Sequence, residues 1–202
     1  MSTSYLLTLT KIKDMKHLII ILAMLTMTAS GQSKAIKISD AALERTNHYV
    51  TYNGAWVKLD YPNGDVADHY GVCTDVVIRT YRNALGVDFQ KLIHEDMVAN
   101  FSAYPKRRNK TKTDRNIDHR RTENQECFLK RHGAALSVTD NPDDYLPGDL
   151  VYYGDIAAGH VGIVVDRKYD GVPMIVHNMG NGPQLADFLF ASRITGHYRY
   201  LP

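Results

Sequence analysis

Cysteine is scarce in this chain: Cys73 and Cys127 are the two present among 202 residues. At most one disulfide can form between them. Charge of one sign is not in excess either, since 24 Lys and Arg stand against 22 Asp and Glu. A chain without a basic field is not built to hold nucleic acid as its main partner. No apolar run approaches the ~20 residues that a comfortable membrane span needs. Internal repeats and low-complexity tracts are missing, as are the short HxH and HxxxH spacings of many histidine metal centres.

What is present begins at the N-terminus. Met15-Lys16-His17 is followed by the apolar stretch Leu18 to Leu25, then by small and polar residues as far as Lys34. A basic start, a short apolar run and a small-residue exit read as a secretory signal peptide. Residues 1–31 are expected to form it, with cleavage near Ala29-Ser30-Gly31. Fourteen residues before Met15 make an over-long start, so Met15 is an alternative initiation site. An uncleaved anchor is the competing reading. No cysteine lies near the exit, so a lipoprotein anchor is not supported. Losing Lys11, Lys13, Lys16 and Asp14 brings the formal charge from +2 to zero. The mature protein is expected to be exported, periplasmic or secreted, and monomeric.

Residues 36–202 read as one domain, a length that suits a single sizeable core. Ser39-Asp40 ahead of Ala41 to Arg45 predict a capped first helix. Cys73 to Leu85 predict a helix with Val76, Val77, Tyr81 and Leu85 inward and Gly86 as its stop. A further helix is expected over Asp88 to Asn100 and another over Thr122 to Arg131. Residues 102–121 carry no period, and eight cationic side chains crowd between Lys106 and Arg121. They form either a solvated loop or a functional one. From residue 134 the texture changes to short strands: 150–153, 161–165, 174–176 and 197–200. Asn141-Pro142, Pro147-Gly148, Asp170-Gly171 and Gly180-Asn181-Gly182 punctuate them. Helices first and antiparallel strands second predict an α+β domain, with N-terminal helices packed on a C-terminal antiparallel sheet.

A cysteine acts as a nucleophile through its thiolate, which a helix N-terminus favours. Cys73 stands where a helix begins, just after Gly71-Val72. Gly71 would allow a tight turn that exposes the sulfur, and amides of the first helical turn could hold an oxyanion. A buried thiol or a Cys73–Cys127 disulfide is the alternative. The base should be a histidine on a rigid element, and His160 enters the strand 161–165. His177 ends the next expected strand. If the two strands form a hairpin, His177 lies near His160 and can orient its ring, with Asn178 as substitute. Asp75 either caps the helix or meets a substrate amine. Asp118, His119, Arg120 and Arg121 form a polar cluster in the basic loop, where arginines suit carboxylates.

The order Cys–His–polar, a cysteine opening a helix, "PGDLVYY" (147–153) and "GHVGIVV" (159–165) resemble the NlpC-type cell-wall cysteine peptidases. That resemblance implies a papain-like fold, with Cys73 as nucleophile, His160 as base and His177 as third member. It also implies peptidoglycan peptides, or another cell-wall amide, as substrate. One departure is that Thr74-Asp75 follow the cysteine, where those enzymes carry a small Ser-Gly pair. Over residues 40–202 the chain resembles an exported bacterial family called domain of unknown function 1287. The motifs "YPNGD" (61–65), "GVCTDVVIRTYR" (71–82), "NIDHRR" (116–121), "HNMG" (177–180) and "GHYRY" (196–200) carry that likeness. Within them, Tyr61, Asp65, Asp75, Asp118, His119, Arg120, Arg121 and Asn178 are the expected substrate-binding residues. No cofactor and no metal are expected. Two other classes stand beside the hydrolase: an inactive papain-like module that binds cell-wall peptides, and a metal-dependent hydrolase drawing on His119, His177, His197, Asp118 and Asp75.

Overall fold

Helical periodicity ahead of alternating apolar strands gives two layers in the computed structural model, which describes residues 30–107, 110–156 and 159–202. The chain divides into Met1–Lys34 and a compact unit over Ala35–Pro202. The expected signal segment lies almost wholly outside the described residues. Among the described residues, no helix is long and apolar enough to cross a membrane.

Residues 35–45 are helical (α1) and bury Ile38 and Ala42 in the core. The expected cap is corrected here, because Ser39 lies inside the helix. Its hydroxyl accepts the Asp166 N–H at 2.8 Å, which ties α1 to the sheet. Three helices follow: α2 (Cys73–Leu85), α3 (Phe89–Ala99) and α4 (Thr122–Arg131). Helix α2 stops as its sequence predicts. Gly86 takes a left-handed φ of 69° and its N–H returns to Arg82 O, a conformation glycine adopts without strain. Helix α3 is capped by Asp88, whose carboxylate accepts the Lys91 N–H.

Two small parallel strands, β1 (Thr51–Tyr52) and β2 (Tyr70–Gly71), lie ahead of α2. Six more strands form one antiparallel sheet: β3 (Ala135–Leu136), β4 (Leu150–Tyr153), β5 (His160–Tyr169), β6 (Val172–Asn178), β7 (Pro183–Ala186) and β8 (Ile194–Tyr198). Their order is β3-β8-β4-β5-β6-β7. The architecture is therefore α+β, with the helices N-terminal to the sheet.

Strand alternation divides the buried side chains between two faces. Leu150, Tyr152, Val161, Ile163 and Val165 join α1 to α4 in the main core. Val151, Tyr153, Val164 and Ile175 pack on the other face with Tyr145 and Leu189. Asp149 pins the sheet. Its buried carboxylate accepts Leu146 N–H and takes His197 Nε2 at 2.8 Å and Arg199 Nε at 2.7 Å. The motifs 147–153 and 196–200 thus meet through one carboxylate.

Candidate active site

Cys73 is the first residue of α2, and its side chain is almost fully covered (4% exposed). Gly71 serves a purpose other than the expected tight turn. It lies in β2, where a Cβ would press on Asp75 Cβ at 3.3 Å and Val50 Cγ1 at 3.4 Å. Burial pushes the Cys73 thiol up. The neighbouring Val161 and Thr74 amides oppose that by favouring the thiolate, and so does the Tyr52 hydroxyl. Both cysteines are free. Cys127, on α4, points its thiol at Ala103 O (3.4 Å).

His160 opens β5 and His177 sits near the end of β6. The two strands are antiparallel neighbours, with Ile163 opposite Val176. His160 Nε2 and His177 Nδ1 are 2.9 Å apart. Gly162 makes room for this approach. A Cβ there would meet Ile175 Cγ2 at 2.3 Å and His177 Cβ at 3.5 Å. Burial, then the neighbouring His177, lowers His160 to about 4, and burial lowers His177 to about 4. Both imidazoles are neutral at pH 7, so one ring donates and the other accepts. Nδ1 of His160 is the nitrogen this bond leaves over.

Cys73 and His160 lie at the start of β5 on opposite faces of the strand. The His160 ring packs against Tyr153, His177 and Phe188, on the face away from α2. Cys73 reaches the strand from the helical side, through the N–H of the next residue, Val161. A cavity of about 200 Å³ opens on Cys73, Thr74, Tyr52 and Arg121. Another, of about 360 Å³, opens on His160 and Tyr153. Thr122, Glu123 and Gly159 line both.

The remaining expected binding residues divide sharply. Asp75 is 2% exposed, and its carboxylate caps α2 by accepting Val72 N–H at 2.7 Å. The same carboxylate takes a two-pronged bond from Arg120, at 2.8 Å on each arm. Arg120 lines the Cys73 cavity but is itself 3% exposed, so its guanidinium is committed inside the protein. Arg121 lines that cavity too, and also a neighbouring one of about 300 Å³ formed with Arg107, Lys110 and Lys112. Asp118 is fully buried and anchors the basic loop through Lys110 and the Asp114 N–H. His119 is buried. Its burial, then the nearby Arg120 charge, lowers it to about 3. Asp65 binds Arg79 and Arg82 and is held low by them against the opposing effect of burial. Tyr61 packs on His94 and reaches Glu95 on α3. Asn178 is fully buried and its Oδ1 accepts Gly180 N–H. Tyr61, Asp65, Asp118, His119 and Asn178 line neither the Cys73 cavity nor the His160 cavity. Tyr61, Asp65 and Asp118 hold chain to chain, whereas His119 Nδ1 and Asn178 Nδ2 are buried without a hydrogen-bond partner among the described residues.

Metal ligation finds no constellation either. Among the described residues, no three His, Cys, Asp or Glu side chains gather as a metal site. His197, one of the expected ligands, is occupied by Asp149 and Ser137 O.

Tyr52 is the residue that sequence reasoning missed. It stands in a two-residue strand with no period to announce it. Burial and the adjoining Cys73 push its hydroxyl up to about 12. Its long distance from Cys73 in sequence is closed by the pairing of Tyr52 with Gly71.

Fold and site together define an α+β domain in which a buried cysteine opens a helix against the first residues of a histidine-bearing strand. The chain belongs to the family described as domain of unknown function (DUF1287), whose model matches residues 39–200. It is also similar to the Escherichia coli (strain K12) protein named uncharacterized protein YijF. The two are 44% identical over 167 residues, covering 82% of this chain and 81% of the relative.

Proposed function

We propose that the protein is an exported cysteine hydrolase with a papain-like arrangement, cleaving amide bonds in peptidoglycan peptides. The observation that carries this reading is the convergence on one strand start. The Val161 N–H favours the Cys73 thiolate, while the preceding residue, His160, is held by His177. The NlpC-like motif order supplies the substrate class. The thiol and imidazole are both neutral in the resting site, so the first step is base-assisted. Nδ1 of His160 removes the Sγ–H proton as sulfur attacks the carbonyl carbon. His177 Nδ1 accepts the His160 Nε2–H, which fixes the tautomer and stabilises the imidazolium. The imidazolium then gives its proton to the leaving amine, and water cleaves the thioester. The Tyr52 hydroxyl, beside the sulfur, is placed to meet the oxyanion. Because the His160 ring starts on the far side of β5, the substrate must draw ring and thiol together across Gly159. Release of peptides from purified sacculi tests the reading. Cys73→Ala should abolish it, and full activity in that variant would remove the mechanism.

The burial of Cys73 favours a second reading, a module that binds cell-wall peptides without cutting them. Iodoacetamide separates the two. A Cys73 that stays unreactive from pH 6 to 9 while sacculi are still bound supports the binding module.

A further inference from the structure

Arg120 is an odd residue to find buried in a basic loop. Four hydrogen bonds account for its guanidinium. Nε and Nη2 donate to the two oxygens of Asp75 at 2.8 Å each, Nη2 also reaches Asn53 O at 3.0 Å, and Nη1 reaches Ala55 O at 3.2 Å. Asp75 is in the first turn of α2, two residues past Cys73. Asn53 and Ala55 come one and three residues after Tyr52. One side chain therefore joins the cysteine's helix to the segment that carries the hydroxyl over the sulfur.

The clamp is itself held rigidly. The Thr74 hydroxyl donates to Arg120 O. Helix α4 fixes the preceding carbonyls, since Asn124 donates to Asp118 O and Gln125 to His119 O. Gln125 is in turn held by the Tyr152 hydroxyl from the sheet. Such a forked contact is specific to arginine, because an ammonium cannot span a carboxylate and two carbonyls at once.

We propose that Arg120 is a positioning residue for Cys73, locking residues 53–55 to the first turn of α2 and balancing the Asp75 carboxylate beside the sulfur. The inference deepens the hydrolase reading and rests on it for its purpose. The groups around the thiol are Tyr52, Asp75 with its partner Arg120, and the N–H groups of Thr74 and Val161, with His160 next along the strand and Arg121 and Glu123 lining the same cavity. Of the two carboxylates, Asp75 lies in the cysteine's own helical turn and opposes the thiolate. Without Arg120 that opposition is unbalanced. A like charge at such range moves a titration by about one unit or more.

The test uses the full chain carrying Cys127→Ser and measures the rate of Cys73 alkylation by iodoacetamide against pH. Arg120→Gln should move the midpoint up by about one pH unit. Asp75→Asn should move it down, and the double variant should return it towards the parent. Arg120→Lys keeps the charge and loses the fork. There the midpoint should hold while amide exchange at residues 53–55 rises about tenfold. A residue that merely stabilised the fold would leave the midpoint still. An unchanged midpoint in a folded Asp75→Asn protein therefore overturns the charge balance, even if Arg120→Gln fails to fold. Unchanged exchange in Arg120→Lys overturns the clamp. Neither arm needs turnover. If Cys73→Ala still released peptides, the hydrolase reading would fall and the positioning result would stand.

Discussion

His160 Nε2 lies 2.9 Å from His177 Nδ1, and the bond joins two buried, neutral imidazoles on adjacent strands. With His160 Nε2–H as the donor, the tautomer the mechanism requires, His160 Nδ1 is left as an acceptor. His177→Ala should therefore lower turnover by about 10² to 10⁴, the range seen when a catalytic histidine loses its orienting partner. His177→Asn should recover part of that loss through its amide oxygen. Peptide release from sacculi reads both variants, and wild-type rates in His177→Ala would remove His177 from the mechanism.

Acid sensitivity of turnover follows from the same pair. His160 is lowered to about 4 by burial and by its neighbour. The base stays neutral well below its ordinary value of about 6.5. Hydrolysis should persist to about pH 5 and fall as the pH approaches 4. An acid limb near 6.5 in kcat/KM would contradict the geometry.

Stability should have its own acid dependence. His119, His160 and His177 are all lowered, to about 3, 4 and 4. Above pH 6.5 each is neutral in both the folded and the unfolded chain, and its contribution is fully present. As the pH falls below 6.5, the unfolded chain takes up protons first. Each histidine then removes about 1.4 kcal/mol of stability per pH unit until its folded value is reached. Urea unfolding between pH 7 and 4.5 checks the slope, which should flatten when His119→Asn is introduced.

Gly162 offers a steric test of the strand pair. A Cβ would stand 2.3 Å from Ile175 Cγ2, inside contact distance. Gly162→Ala should destabilise the fold by about 1–3 kcal/mol as β5 and β6 part. It should also disturb the His160–His177 bond. Chemical denaturation measures the first effect. A smaller penalty for Gly162→Ala in an Ile175→Ala background, where that methyl is gone, would confirm the clash as its source.

Asp149 should be less forgiving. It is fully buried and serves His197, Arg199 and the Leu146 amide. Asp149→Ala strands those donors, at a cost of about 3–5 kcal/mol. A midpoint shift in urea smaller than 1 kcal/mol would show the contact to be dispensable.

Much of this arrangement was legible in the sequence, because it rests on local rules. Gly86 announces the end of α2, Asp88 starts α3, and alternating Val and Ile announce β5 and β6. The hairpin relation of His160 and His177 follows from strand order alone. Strand β7 was not legible. Pro183-Gln184-Leu185-Ala186 lacks β-branched residues, and its proline is tolerated because the strand is an edge. The internal partners of the expected binding residues were not legible for a different reason. Asp65, Asp118 and Arg120 look like solvent-facing charges, and their burial makes sense only with partners in view. Arg79, Lys110 and Asp75 are those partners. Tyr52 was invisible for the same reason, since its role depends on a two-residue strand pairing.

The carboxylate of Asp149 also makes one unit of two stretches that stand far apart in the chain. The turn at 147–149 and the segment at 196–200 cannot drift separately: a change at His197 or Arg199 leaves a buried anion short of donors unless position 149 changes with it. Across relatives, these positions should be inherited as a linked set, independently of whatever happens at Cys73.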